Sequence, residues 1–99
     1  MKVFSVLFTP EAKNDALDAR SWYGQHNIGL AGSFRECLDS KIESLKRNPL
    51  AASYLYKNLR SSKIKRFPYS IIYKVSGNQI QIIAIFHHSR NPREWKKRI

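Results

Sequence analysis

A change of hydrophobic period near Pro49 limits the folds open to this chain. Before it, from Thr9 onward, apolar residues recur at helical spacing; beyond it they alternate as strands do. A chain of 99 residues has room for one core. The helical half and the stranded half are therefore expected to pack on each other as one domain spanning 1–99. With 42% hydrophobic and 25% charged residues, the chain is apolar enough to fold.

The opening "KVFSVLF" sets Val3, Ser5 and Leu7 against Phe4, Val6 and Phe8 and reads as a strand buried on much of both faces. "TPEAKNDALDARSWYGQH" follows with Thr9 as N-cap and Pro10 at the first helical position. Glu11 and Asp15 suit the positive end of that helix dipole. Ala12, Ala16, Ala19 and Trp22 or Tyr23 form its apolar stripe. Gly29 and Gly32 in "NIGLAG" predict the break, after which Ser33 and Glu36 read as a capping box. Phe34, Cys37, Leu38, Ile42 and Leu45 give the second helix its buried face, and Pro49 stops it.

Four strands are predicted next: "SYLYKNL", "SKIKRF", "YSIIYKV" and "QIQIIAIFH", with "SGN" as the hairpin between the last two. In the last strand Ile80, Ile82, Ala84 and Phe86 oppose Ile83 and Ile85, which suits a central position. Pro92 opens a short final helix, "PREWKKR". The expected fold is α+β: a strand, a two-helix hairpin, a four-stranded antiparallel sheet segment and a short C-terminal helix.

Charge sets the class of partner. The net charge is +11, and no acidic residue lies between Glu43 and Glu94. So cationic a second half points to a polyanion or an acidic protein. The lone Cys37 excludes an internal disulfide and a multi-cysteine metal site, and suits a reducing cytoplasm. Glu11 follows the short apolar opening too soon for a signal peptide, and no segment is long enough to span a membrane.

Adjacent strand residues face opposite ways, so His87 and His88 cannot together hold a metal, and no metal or other cofactor is expected. Either histidine could move a proton, although hydrogen-bonded histidines at a strand end are commoner. Lys63 and Lys65 are expected on one face of a strand, with Arg66 and Tyr69 at its junction with the next. Such a cationic strand suits phosphates, while the tyrosines pack the sheet.

"KIKRFPYSIIYKVSGNQIQIIAIFHHSRNPREW", in this order of elements, resembles the RelE/ParE superfamily of type II toxin-antitoxin toxins. "FTPEAKNDALDARSWY" is similar to the family's opening strand and helix. The resemblance implies one of two activities. RelE-like members are ribosome-dependent mRNA endonucleases; a nuclease here would use Lys63, Lys65 and Arg90 on the phosphate and His87 or His88 as proton carrier. The arginine of the RelE strand falls on Ser70, however, and the late tyrosine falls near Trp95 or Lys96. Serine supplies neither charge nor a bidentate fork.

The resemblance therefore favours the ParE-like, plasmid-stabilisation branch: a non-enzymatic inhibitor of DNA gyrase neutralised by a cognate antitoxin. Contact with target or polyanion would fall on Lys63, Lys65, Arg66, Arg90, Arg93, Trp95, Lys96, Lys97 and Arg98. The alternatives are the mRNA endonuclease, with ribosome and mRNA as partners, and a non-toxic basic nucleic-acid-binding module.

Overall fold

The structure, a computed structural model, describes residues 4–99. Lys2 and Val3, which the strand prediction includes, lie outside the described residues. The chain runs through β1 (Ser5–Phe8), α1 (Pro10–His26), α2 (Ile28–Arg47), β2 (Tyr54–Tyr56), β3 (Leu59–Lys63), β4 (Tyr69–Ser76), β5 (Gln79–His87) and α3 (Arg93–Lys96). The sheet order is β1-β5-β4-β3-β2. The four later strands form the expected antiparallel meander, and β1 adds a fifth strand parallel to β5. Parallel pairing is open to β1 because α1 and α2 provide the long crossover it needs.

This position corrects the expectation for β1. As an edge strand it buries one face only partly, through Val6 and Phe8, and Leu7 is 46% exposed. β5 is central, between β1 and β4.

α1 begins where Thr9 and Pro10 predict, with the Ala12 N–H donating to Thr9 Oγ1 at 3.2 Å. Ala12 and Ala19 are buried and Tyr23 packs beside them, while Trp22 turns outward. The break between helices is Asn27, not the glycines. Its extended backbone closes α1 by donating to the Tyr23 carbonyl, and its side chain opens α2 by accepting from Gly29 N–H at 2.9 Å. Gly29 and Gly32 lie inside α2, so Ser33 and Glu36 cap nothing. Asparagine does this well because it caps from an extended backbone that needs only one residue.

β3 also differs from its prediction. It spans Leu59–Lys63, and Ile64 to Phe67 form the turn into β4. Ile64 and Phe67, both buried, drop into the same core at a spacing of three, which a strand cannot do. Arg66 makes the turn with a left-handed backbone, φ 74°.

The sheet has a core on each face. On the helix side lie Ala12, Ala19, Phe34, Leu38, Leu45, Ile71, Tyr73, Ile80, Ile82 and Ile85, and the buried Tyr73 hydroxyl donates to the Pro49 carbonyl at 2.7 Å. On the opposite face Leu59, Ile72, Ile83 and Ala84 pack under Trp95 of α3.

One irregularity decides which residues face which core. Tyr73 pairs with Ile82 but Ile72 pairs with Ala84, so Ile83 is an extra residue, a β-bulge. Before it even-numbered residues of β5 face the helices; after it odd-numbered ones do. Ile85 and His87 thus share the helix side with Ile80 and Ile82, which simple alternation puts opposite them.

Candidate functional site

The bulge places the two histidines on different sides. His87 ends β5 on the helix side, edge-on to Tyr69 with ring centres 4.8 Å apart. The Ser89 N–H donates to His87 Nδ1 at 3.0 Å, and Ser89 Oγ lies 2.7 Å from the same atom. Because a backbone N–H can only donate, Nδ1 is the acceptor and the neutral ring carries its proton on Nε2.

His88 turns to the other side, where its Nε2 lies 2.8 Å from Ser70 Oγ. Its backbone is tied to the Pro68 carbonyl at 2.9 Å. Lys63 is directly opposite Ser70 in the β3–β4 register. Partial burial, then the Lys63 ammonium and the His87 ring, hold His88 below its ordinary pKa of 6.5. At neutral pH this imidazole is uncharged and able to accept a proton.

On the helix side a cleft of about 660 Å³ opens between α1 and the end of the β4–β5 pair. Trp22, Tyr23 and Tyr69 form its aromatic wall, with Asp18 on the α1 side and His87 and Arg90 on the sheet side. Burial raises the Tyr69 pKa above its usual value, so it remains a neutral phenol.

The predicted groups therefore divide. Lys63 and His88 stand on the face away from the helices, whereas Arg90 and His87 line the cleft. Lys65 and Arg66 are exposed in the β3–β4 turn, so Lys65 does not share a strand face with Lys63. Arg93, Lys96 and Lys97 are exposed around α3, with Lys96 Nζ 4.8 Å from the Tyr56 ring centre.

Two predicted contact residues are corrected. Trp95 is 3% exposed and forms the core beneath α3, so it offers no contact surface. Arg98 is tied to Asp15 through two nitrogens and also donates to the Ile83 carbonyl at 3.0 Å. Asp15 itself passes for a dipole residue in the sequence, yet its carboxylate also accepts from the Ile85 N–H at 3.1 Å. The signal for this role is its spacing, three from Ala12 and four from Ala19, which puts it beside the buried stripe.

Among the described residues no group of three or more His, Cys, Asp or Glu side chains is gathered to hold a metal ion. No helix of the described residues is long and apolar enough to cross a membrane.

A mixed sheet with a two-helix hairpin on one face and a short C-terminal helix on the other is the RelE/ParE-like α+β fold. Residues 6–92 match the family described as the ParE toxin of the type II toxin-antitoxin system, parDE, and the chain belongs to that family. It is similar in structure to a chain of the chromosomal ParDE toxin-antitoxin system from P. aeruginosa, at 20% identity and TM-score 0.76. That match covers 86% of this chain and 96% of that one. The YoeB dimer from Staphylococcus aureus is similar at 19% identity and TM-score 0.54, over 86% of this chain and 97% of that one. No curated protein matches the sequence.

Proposed function

We propose that this toxin inhibits DNA gyrase by protein–protein contact in the cytoplasm and is held inactive by a cognate antitoxin. The observation that carries the reading is Ser70. A nuclease of the RelE type would present a guanidinium from this position of β4, whereas here the side chain is a hydroxyl spent on His88. The remaining cations are split between the two faces of the sheet. Lys63 beside a neutral imidazole is short of the charge that a phosphoryl transition state needs.

The exposed cations Lys63, Lys65, Arg66, Arg90, Arg93, Lys96 and Lys97 are the proposed contacts to the target or to an acidic partner. An antitoxin with an acidic C-terminal segment would complement a chain of net charge +11.

Two assays on the purified chain test the proposal together: DNA supercoiling by gyrase, and primer extension on translated mRNA. Inhibited supercoiling with uncut mRNA is expected. Codon-linked cuts with normal supercoiling would overturn it in favour of the nuclease. Binding to any DNA or RNA with a steep salt slope, and neither inhibition nor cutting, would favour a plain basic binding module.

A further inference from the structure

The excess charge of the chain is confined to one layer. α1 and α2 together carry six acidic and six basic residues, whereas residues 48–99 carry eleven basic residues and one acid, Glu94. The sheet and α3 thus hold nearly all of the excess.

Part of it lies on the face of the sheet away from the helices. Residues paired across strands share a face, so Lys63 stands there beside Ser70, and Ser61 beside Ile72. Every second residue of β4 repeats the direction, which brings Lys74 to the same side. At the β2 end of this face the Tyr56 ring meets Trp95 edge-on, with ring centres 5.9 Å apart. That ring gathers two ammoniums: Lys96 Nζ lies 4.8 Å and Lys57 Nζ 5.3 Å from its centre. Two like charges held at one ring repel each other, and an anion between them relieves the repulsion.

The make-up of the face selects its partner. Ile72, Ile83 and Ala84 are hidden under Trp95, so the apolar groups that anchor protein–protein contacts are covered, and lysine, which such contacts disfavour, is left outside. Tyr56 and Phe86 are partly buried against Trp95 and serve the core, whereas a single strand needs open ring faces for its bases. The phosphates of a duplex ask only for spread cations and hydroxyls.

We infer that this face holds the phosphate backbone of duplex DNA through Lys57, Lys63, Lys74 and Lys96. The inference builds on the gyrase reading, since gyrase works on duplex DNA, and gives the toxin a second contact in that complex. Phosphate contacts carry no sequence information, so any duplex serves as the probe.

The test follows the anisotropy of a short labelled duplex with the purified toxin as salt is raised, beside the supercoiling assay. Log affinity should fall linearly with log salt. Lys57→Gln combined with Lys96→Gln should weaken binding more than about tenfold at low salt and lower the slope by about two. Lys13→Gln combined with Arg20→Gln, an equal loss of charge from exposed residues of α1, should weaken it less than about threefold and keep the slope.

Equal losses in the two double variants would overturn the site while leaving the gyrase reading intact. So would tighter binding of a single strand of the same sequence. Loss of supercoiling inhibition in the Lys57/Lys96 variant, with duplex binding unchanged, would assign these lysines to gyrase itself and overturn the inference. A toxin that binds the duplex through Lys57 and Lys96 yet leaves supercoiling untouched keeps the DNA site and removes the gyrase reading.

Discussion

Asp15 on α1 and Arg98 next to the C-terminus form a two-pronged ion pair, Nη1 to Oδ2 at 2.6 Å and Nη2 to Oδ1 at 3.0 Å, across 83 positions of sequence. The same pair holds the two sides of the β5 bulge, through the Ile85 N–H and the Ile83 carbonyl. Their side chains are only 15% and 21% exposed, so solvent screens the pair little. It thereby ties the first helix, the central strand and the tail together.

Removing one partner leaves a half-buried charge unpaired, which costs more than the pair contributes. Asp15→Ala is expected to lower stability by about 1.5–3 kcal/mol, the range for hydrogen bonds to charged groups. Arg98→Ala should lower it comparably, and the double variant by less than the sum of the two. Urea unfolding midpoints at constant slope measure all three. Additive losses would show that the groups act independently.

His88 makes stability depend on pH. Its folded pKa lies below the ordinary 6.5, so the unfolded chain binds the proton first as pH falls. The contribution of this group is complete above about pH 6.5 and is lost progressively as pH falls toward the folded pKa. An NMR titration should place the His88 midpoint below that of a model histidine. Lys63→Gln should move it upward by removing one of the charges that depress it. A His88 midpoint at or above 6.5 in the unaltered protein would contradict this account.

Gly77 turns the β4–β5 hairpin at φ 59°, and a Cβ added there would meet no heavy atom within 4 Å. Any cost of a side chain at this position is conformational and not steric crowding by neighbours. Gly77→Ala is expected to cost about 1 kcal/mol, and Gly77→Asn less, because asparagine tolerates the left-handed region. Thermal midpoints of the two variants distinguish this from a crowding effect, which would penalise the larger asparagine more.

The two tryptophans should respond in opposite ways. Trp95→Ala empties the core between Leu59, Ile72, Ile83 and Ala84 and is expected to cost about 3–5 kcal/mol. Trp22→Ala, on a side chain 54% exposed, should change stability by no more than about 0.5 kcal/mol. Equal unfolding midpoints for the two variants would refute the assignment.

Local chemistry explains what can be read from the residues alone. Thr9 and Pro10 start α1 through groups no more than three positions apart, and Gly77 with Asn78 closes a hairpin by its own backbone preference. The apolar run of β5 marks a central strand wherever its neighbours come from. The helix break misleads for the opposite reason: two glycines stand nearby, but a single capping asparagine meets the need first. Lys65 misleads because Lys63, Ile64 and Lys65 alternate polar and apolar as a strand does, until the turn at Arg66 is known.

The family, the order of helices and strands, the cationic second half and the division of the histidines between two sides are all legible in the residues. The family is legible as a resemblance of motifs in their order; the others follow from periods, caps and charges that act over a few residues or over the whole composition. Folding in three dimensions settles the rest: β1 joins β5 in parallel, Ile83 bulges, and Asp15 and Arg98 hold the bulge while Trp95 is buried. Those outcomes depend on groups far apart in sequence meeting over one strand, where packing and the need to satisfy backbone hydrogen bonds override the local pattern.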